Sequence, residues 1–442
     1  MHNSSQLRKV AALAVFACAV TLAGADKAAP LGVNANVLER ARNGEVQAQL
    51  EAGFAFYKSN NPVRAAYWFN SAARLGSAEA QYNMGRCCLA GYGVEKNIHQ
   101  AFEYFKTASA QGLPPAQLEC AKLYLSGIAA VPEHNPPLPS VAPDEKTAFE
   151  LLEKAIAGSY TPARLVYAAY LIQKYRNKEP QKIIELLNGA VEKGDRTACV
   201  MLADFLLSRT DELRNEKLAR TLLEKAAPDH PEAMAKLAFA VEHGFGAPPE
   251  PAAAFELYKK ALQKTFVPLA ASRLANYYFS GSYGVTQDIS QAIDLYRKAA
   301  AAGVAEAITQ LGICSQNGIG MKVDKAQAFD LFFQAAKMDY APAQYALGES
   351  FANGSGTIAD QQGAFYWFNQ AAMRYEPRAM LEVGRRYLHG VGTAPDAEKA
   401  AAYLEQAYAN GMNEAAELLI QARRQMQTSD SIKPQKVPRF GW

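Results

Sequence analysis

The 442-residue chain is predicted to be all-α, a right-handed α/α superhelical solenoid of about ten helix-turn-helix repeats. Three observations predict this fold: a period of about 36 residues, small residues at fixed positions of that period, and glycines between two helical stretches. A period in this range is typical of stacked helical hairpins, in which each repeat contacts only its neighbours and the stack presents an extended surface.

An alanine in the first helical stretch marks the period. Successive marker alanines lie 35 to 37 residues apart, except for one gap of 47 residues in the third repeat. Apolar residues recur at three- and four-residue steps after each marker, as amphipathic helices require. From the second repeat onward, the markers are Ala80, Ala116, Ala163, Ala198, Ala233, Ala270, Ala307, Ala343, Ala379 and Ala415.

Small residues also occupy a second register, five residues after each marker. Glycine inside a helix costs about 1 kcal/mol relative to alanine, so glycine at this register predicts that another helix crosses too close for a side chain. The second helical stretch has its own invariant alanine, preceded by large pairs such as Leu331-Phe332, which predicts an interlocked core. The small residues that lie five positions after each marker are Gly53, Gly85, Ala121, Ala168, Ala203, Ala238, Ala275, Gly312, Gly348 and Gly384.

The turns between the two helices carry a pair of glycines in most repeats. The first glycine is predicted to supply the left-handed conformation that ends a helix. Repeats four and five carry Lys174 and Arg209 at this position, so their turns are expected to differ. The first glycines are Gly91, Gly127, Gly244, Gly281, Gly318, Gly354 and Gly390, and the second are Gly93, Gly246, Gly284, Gly320, Gly356 and Gly392.

The pattern A-x3-L-G-x2-Y-x2-G-x-G-V, followed by A-x2-W/L-F/Y-x2-A-A-x2-G, resembles the Sel-like repeat (SLR) family of solenoids related to tetratricopeptide repeats. The resemblance covers about residues 46–424 and departs from the pattern at Ile183, where the family has alanine. It implies adaptor roles in envelope assembly, signalling or host interaction. Some cysteine-rich relatives are linked to β-lactam binding or hydrolysis. This chain lacks paired cysteines in each repeat, so that link does not carry over.

The N-terminus is predicted to be a signal peptide, residues 1–25. Arg8 and Lys9 precede an apolar run, Val10–Leu22, and small residues follow at positions 23–25. This apolar run is shorter than the ~20 residues that span a bilayer. We therefore expect a chain that is periplasmic or secreted, with no transmembrane segment once the signal is removed; a retained anchor and a lipoprotein are the weaker alternatives.

The rest of the chain divides into three parts. Residues 26–45 are assigned to a linker and N-terminal cap, residues 46–424 to the repeat solenoid, and residues 425–442 to a tail predicted to be disordered, with a short docking peptide as the alternative. In the third repeat, residues 128–143 form a proline-rich insertion, for which we expect extended polyproline-type backbone. The insertion is either a tolerated surface loop or a recognition loop, and the sequence does not choose.

Charge and cysteine content narrow the class of protein. The formal net charge is +3, or +1 without the two basic residues of the signal, so no basic stripe for nucleic acid is expected. Five cysteines remain after the signal, and an odd number does not make a full disulfide framework. We interpret them as buried thiols and leave a Cys88–Cys120 bridge open.

No catalytic or cofactor motif is found, so we expect no enzyme activity, no cofactor and no metal. The binding site is instead predicted on the concave face, which first helices line in solenoids. Registers three and six after the marker should point there, with Val166, Met201 and Phe239 as a central apolar strip. Polar residues are expected to flank that strip, and such a surface suits an extended peptide or a partner helix. The nine candidates are Arg86, Lys122, Val166, Met201, Lys236, Phe239, Arg273, Asn276 and Arg385.

Three functional hypotheses follow. The first is an exported, non-catalytic scaffold or adaptor that binds another protein or peptide through the concave face. The second is a scaffold in envelope polysaccharide secretion or associated with the cell wall. The third is a hydrolase acting on cell-wall or β-lactam substrates, which would require reactive groups that converge in the groove.

Overall fold

The structure, a computed structural model, describes residues 34–134, 136–175 and 178–432. The predicted signal peptide lies outside these residues, as does most of the tail. The described residues form 22 α-helices: α1 (Ala35–Arg42), α2 (Val46–Lys58), α3 (Pro62–Arg74), α4 (Ala78–Ala90), α5 (Ile98–Ala110), α6 (Pro114–Ser126), α7 (Glu145–Ala157), α8 (Thr161–Tyr175), α9 (Pro180–Glu192), α10 (Arg196–Leu207), α11 (Glu216–Ala226), α12 (Pro231–His243), α13 (Pro251–Lys264), α14 (Pro268–Ser280), α15 (Ile289–Ala301), α16 (Ala305–Asn317), α17 (Lys325–Ala336), α18 (Ala341–Asn353), α19 (Gln361–Ala372), α20 (Pro377–His389), α21 (Ala397–Ala409) and α22 (Ala415–Ile432).

The fold is an all-α repeat solenoid, as the sequence predicted. Helices α2 to α21 form ten helix-turn-helix repeats, and helices that follow one another in the chain pack together from α2 to α9 and from α11 to α21. Helix α1 packs against α2, and α22 packs against α21. The chain divides into two compact units, Met1–Ala198 and Cys199–Trp442. Within the described ranges, no helix combines the length and the apolar character needed to cross a membrane.

The glycines at the second register lie where the second helix of the same repeat crosses, as predicted. A Cβ atom added at Gly312 would lie 2.5 Å from Cε1 of Phe332, and one at Gly348 would lie 2.7 Å from the Phe368 ring. Both rings are buried. A Cβ atom added at Gly53 or Gly85 would likewise lie too close to a phenylalanine ring of the second helix, and one added at Gly384 would lie too close to Leu404. The large residue of each second helix therefore fills the space that the missing side chain leaves.

Six of the seven first turn glycines end the first helix in the predicted left-handed conformation; Gly127, with φ 70° and ψ 172°, does not. Gly91, Gly244, Gly281, Gly318, Gly354 and Gly390 all adopt the left-handed conformation, with φ between 64° and 74°. In repeat five, the buried Arg209 replaces this glycine. Helix α10 ends at Leu207, two residues before Arg209. Its guanidinium carbon lies 5.6 Å from the Phe205 ring centroid, and its Nε donates to Asp211 Oδ1 at 3.0 Å. That turn is therefore held by side chains rather than by a backbone conformation.

The second turn glycine makes the contact between repeats. A Cβ atom at Gly356 would overlap the carbonyl oxygen of Lys325, the first residue of the preceding second helix. Gly93 and Gly392 approach the carbonyl groups at the same position of their own preceding repeats. Gly284, which follows its first glycine by three residues instead of two, has no atom within 4 Å of such a Cβ.

Most second helices begin at a side-chain cap that the sequence analysis did not identify. An Asn or Asp side chain accepts a hydrogen bond from a backbone N–H of the first turn, which satisfies a donor that the helix leaves unpaired. These caps are Asn61, Asn97, Asp144, Asn215, Asp288, Asp324, Asp360 and Asp396.

The proline-rich insertion contains antiparallel backbone pairing that its composition did not indicate. Ile128 pairs with Val141, and Val131 pairs with Leu138, in an antiparallel arrangement with N–H to oxygen distances of 2.8–3.1 Å. The four donors of this pairing are Ile128, Val131, Leu138 and Val141, so none of the pairing bonds requires a proline N–H. The His99 Nε2 atom lies 2.9 Å from the Ala129 carbonyl oxygen, and this bond ties the insertion to α5.

Two further regions refine the sequence analysis. Helix α22 continues to Ile432, so the first eight residues assigned to the tail are helical, and residues 433–442 lie outside the described part of the chain. The cysteines at 87, 88, 120, 199 and 314 are buried, and Cys88 and Cys120 are separate thiols, so the bridge between them that the sequence left open is not formed.

Candidate binding surface

The predicted residues Phe239 and Arg273 lie together on the first helices of repeats six and seven. The Arg273 guanidinium carbon lies 4.8 Å from the centroid of the Phe239 ring, a cation–π contact between α12 and α14. The same ring stacks on His243, with ring centroids 4.1 Å apart, and Phe245 lies 6.0 Å away. Only 21% of the Arg273 side chain is exposed, so its position is set by these neighbours.

Glu306, at the start of α16, joins Arg273 to the third predicted residue of this group, Asn276. Its Oε1 atom accepts a hydrogen bond from Asn276 Nδ2 at 3.0 Å and lies 3.6 Å from Arg273 NH1. Asn276 Oδ1 in turn accepts a hydrogen bond from the Tyr296 hydroxyl at 2.6 Å. Three consecutive repeats therefore contribute to one network, which we call the Arg273 cluster: Phe239, Arg273, Asn276, Tyr296 and Glu306.

A second carboxylate, Glu242, lies one helical turn after Phe239 on α12 and interacts with tyrosines. The Tyr258 hydroxyl donates to Glu242 Oε2 at 2.8 Å. Burial, and then the negative charge of Glu242, raise the pKa of Tyr258 well above its usual value, and the same two causes raise the pKa of Tyr277. Both phenols are therefore protonated at physiological pH and serve as hydrogen-bond donors.

Lys236 lies one helical turn before Phe239 on α12, on the same face of the helix. Its Nζ atom is 2.8 Å from Asp204 Oδ2 on α10 and 3.9 Å from Glu232 Oε1. Lys236 also lines an open depression of about 490 Å³ between the starts of α12 and α14. Apolar residues form much of its wall, including Phe266, which is 47% exposed. The depression and the Arg273 cluster are therefore neighbours along one helix.

The other candidates do not join this group through any contact described here. Arg86 lies over its own helix neighbour Tyr82, 5.8 Å from the ring centroid, and Lys122 Nζ is 2.8 Å from Glu119 Oε1. Val166, like these two, belongs to the first unit and is half-buried. An apolar strip running from Val166 to Phe239 would join the two units, and it stays a prediction.

The last two candidates lie in the second unit. Met201 is half-buried on α10. Arg385 NH1 is 2.7 Å from Glu382 Oε1, and its NH2 is 3.9 Å from Glu414 Oε2. Lys122, Lys236, Arg273 and Arg385 are thus each paired with a carboxylate. Of the residues predicted to flank the apolar strip, Lys122 and Arg273 thus lie in ion pairs, and the flank itself stays a prediction.

Sequence reasoning missed Glu306 and Tyr296, which hold the cluster together. Glu306 immediately precedes the marker alanine, a register that we did not assign to the groove, and Tyr296 lies on a second helix. A signal was present, since Glu79 and Glu232 occupy the same first-turn position as Glu306 in other repeats. Asp204, the partner of Lys236, stands at register six of its own helix.

Comparison with known proteins assigns the chain to a family. The Sel1 repeat model matches residues 47–77, 78–113, 114–160, 197–227, 231–265, 268–304, 305–340, 341–375 and 377–412. The chain is a repeat solenoid of this class, and it belongs to the Sel1 repeat family. The unmatched stretch between residues 160 and 197 is repeat four, which lacks the turn glycines.

Individual similar proteins are distant. The uncharacterized protein NMB1327 of Neisseria meningitidis serogroup B is 26% identical over 224 residues, which are 50% of this chain and 44% of the relative. The match thus spans less than half of that protein. The crystal structure of c5321, a protective antigen of uropathogenic Escherichia coli with an SLR fold, is 23% identical, with 93% of this chain and 100% of that chain covered and a TM-score of 0.49. A Sel1 repeat protein from Oxalobacter formigenes is 25% identical, covers 55% of this chain and 98% of its own, and has a TM-score of 0.47.

Proposed function

We propose that the protein is an exported, non-catalytic scaffold that binds a protein or peptide through the first-helix face of its second unit. The binding surface consists of the Arg273 cluster and the neighbouring depression beside Lys236. A partner segment would place an apolar side chain against Phe266 and pack along the aromatic group around Phe239. This mode uses a preformed groove and an extended or helical partner segment.

The observation that carries this proposal is the way Arg273 is held. An arginine loses up to about 2 kcal/mol of side-chain entropy when it is ordered on binding. Here Phe239 and Glu306 already hold it in place before any partner arrives. Prior ordering of this kind lowers the cost of association. Aromatic residues and arginine are also the residues that most often dominate binding energy at interfaces.

The interaction is tested by photo-crosslinking in a Gram-negative envelope, with the crosslinker at Leu269 on the wall of the depression. Captured partners are then compared between the unmodified chain and a Phe239→Ala, Phe266→Ala variant. We expect a loss of about tenfold in capture, since removing hot-spot aromatics typically costs at least this much affinity. Tyr366→Ala is the matched control, because Tyr366 is an exposed aromatic on a second helix. Equal capture by all three chains would contradict the proposed surface.

Export is tested separately. When the chain is expressed with its own N-terminus in a Gram-negative host, we expect a periplasmic protein whose mass corresponds to a start at Asp26. A full-length cytoplasmic product would contradict export. Turnover of peptidoglycan or a chromogenic β-lactam, abolished by a single substitution in the Arg273 cluster, would contradict the non-catalytic assignment.

A further inference from the structure

The last helix of the array carries a large side chain at a register where every repeat carries a small one. Ile420 lies five residues after the marker Ala415, and this register holds glycine or alanine in all ten repeats. It is buried in every repeat, and at the glycines the second helix of the same repeat covers it. Within the described residues no helix follows α22, and 53% of Ile420 is exposed. Helix α22 therefore presents an apolar side chain at a register that the repeats cover.

A second register is exposed only beside α22. Tyr408, the residue after the invariant alanine of α21, is 52% exposed. The residues at this register in the nine preceding second helices are all buried or half-buried. Second helices of successive repeats contact each other, as the 3.2 Å hydrogen bond from the Tyr403 hydroxyl to Asn369 Oδ1 shows. Since α21 has no following second helix among the described residues, Tyr408 and Ile420 border one uncovered surface, which we call the terminal face.

A further helix cannot cover the terminal face in the way that second helices cover the repeats. At Gly348 and Gly384, a single added Cβ atom would lie within 2.7 Å of a side chain on the crossing helix. Isoleucine carries three carbons beyond Cβ, so a helix at that distance would clash with Ile420. An α-helix with its side chains is about 10–12 Å across, whereas a single extended segment is thinner. The terminal face therefore favours an extended segment over another hairpin or a second copy stacked in the same way.

The ten residues that follow α22 have the sequence pattern of such a segment. Prolines at positions 434 and 438 oppose helix formation. Polyproline-type backbone has three residues per turn, and with that period one edge of the segment is apolar and the next is basic. The apolar edge is Pro434, Val437 and Phe440, and the basic edge is Lys433, Lys436 and Arg439.

The length of the segment matches the distance that it has to cover. Ile420 lies 12 residues before Ile432, the last residue of α22, which is about 18 Å along the helix axis. If about two residues reverse the chain, the next six, at about 3.1 Å each, bring Phe440 back to the level of Ile420. Glu417 is exposed one helical turn further on, where it can meet the basic edge.

We propose that residues 433–442 fold back along α22 and cover the terminal face as a polyproline-type segment. Phe440 packs on Ile420, Arg439 pairs with Glu417, and Trp442 reaches Tyr408, which lies just before the turn that leads into α22. The segment then serves the last helix as a second helix serves each repeat, because the ends of a repeat array need a cover for their apolar residues. The proposal does not depend on the binding surface around Arg273.

Disulfide trapping in the full mature chain tests the contact. Ile420→Cys with Phe440→Cys places one thiol on each side of the contact, and a disulfide needs Cα atoms within about 7 Å of each other. The control is Gln421→Cys with Phe440→Cys, because Gln421 is also exposed but points about 100° away around the helix. Under copper–phenanthroline oxidation, we expect the intramolecular disulfide to form at least about tenfold faster in the first variant than in the control.

Two results of this trapping experiment overturn the proposal. One is a rate equal to that of the control, which would mean that the segment does not lie over Ile420. The other is a product that consists only of covalent dimers, which would place the segment on a second copy of the chain.

Hydrogen exchange gives an independent measurement on the same helix. Val437→Ser with Phe440→Ser removes the apolar edge, and we expect the amides of α22 to exchange at least about threefold faster relative to those of α12, because the covered helix opens less often. Gln435→Ser, on the third edge of the segment, is the control and should leave exchange in α22 unchanged. The proposal is overturned if the apolar-edge variant exchanges at the same rate as the control.

Discussion

The Arg273 guanidinium lies 4.8 Å from the centre of the Phe239 ring, although the two residues belong to successive repeats. The sequence analysis placed both residues on the same face, and the structure shows the contact that joins them. Glu306 from a third repeat completes the arrangement. The binding surface proposed for the second unit is therefore also part of what holds repeats six to eight together.

Glu306→Ala should destabilise the region around α14 and α16. The substitution removes the acceptor for Asn276 and the counterion of Arg273, and both side chains then stay largely buried without it. A loss of about 1–3 kcal/mol is expected. Hydrogen exchange of the backbone amides in α14 and α16 measures this loss of stability locally. Glu256→Ala is the control, because the pair of Glu256 with Lys259 is exposed and should contribute about 0.5 kcal/mol or less. Equal losses in the two variants would contradict a structural role for the cluster.

Gly312→Ala should cost about 1–3 kcal/mol, because its new Cβ would lie 2.5 Å from the buried Phe332 ring. Adding Phe332→Leu should recover much of this loss, since repeat three combines Ala121 with the equivalent Leu152. Denaturant unfolding of the two single variants and the double variant gives the coupling energy. If the two effects simply add, the crossing of these helices does not explain the glycine.

Gly356→Ala and Gly284→Ala should separate backbone strain from the contact between repeats. Both glycines have positive φ, 77° and 81°, so alanine costs about 1 kcal/mol at either position. Only at Gly356 would the new methyl group meet the carbonyl of Lys325. We therefore expect Gly356→Ala to lower the melting temperature clearly more than Gly284→Ala. Equal shifts would mean that the second glycine serves the turn alone.

The buried thiols predict a loss of stability in alkaline solution. Burial raises the pKa of Cys88 and Cys120 from the ordinary thiol value of 9.0 to about 12. Between pH 9 and 12 the unfolded chain has released these protons while the folded chain retains them, so the free energy of unfolding falls as the pH rises. Below pH 9 these groups contribute no slope. Denaturant unfolding from pH 8 to 11 should show a smaller fall for Cys88→Ala, Cys120→Ala than for the unmodified chain. If the free energy of unfolding falls equally in the double variant, groups other than these two thiols cause the loss of stability.

Features set by local steric rules were predictable from the sequence. Gly312 and Phe332 lie opposite each other because small and large residues recur at matched registers, and a period needs no structure to be visible. Glu306 could not be placed in the same way. Its role depends on which atoms of the neighbouring repeat come within hydrogen-bond distance, and this varies from repeat to repeat. The antiparallel pairing at Ile128 was missed because composition counts prolines but does not show that every pairing donor avoids them.

The second turn glycines Gly356 and Gly392 meet main-chain atoms of the preceding repeat, whereas Gly320 meets the side chains of Ile289 and Ile293. Where the contact is with a main-chain carbonyl, any amino acid can supply it, so that contact tolerates substitution of the residue that carries the carbonyl. At Ile289, and in the Arg273 cluster, the identity of a side chain in one repeat instead constrains its neighbour, so the repeats are not freely interchangeable.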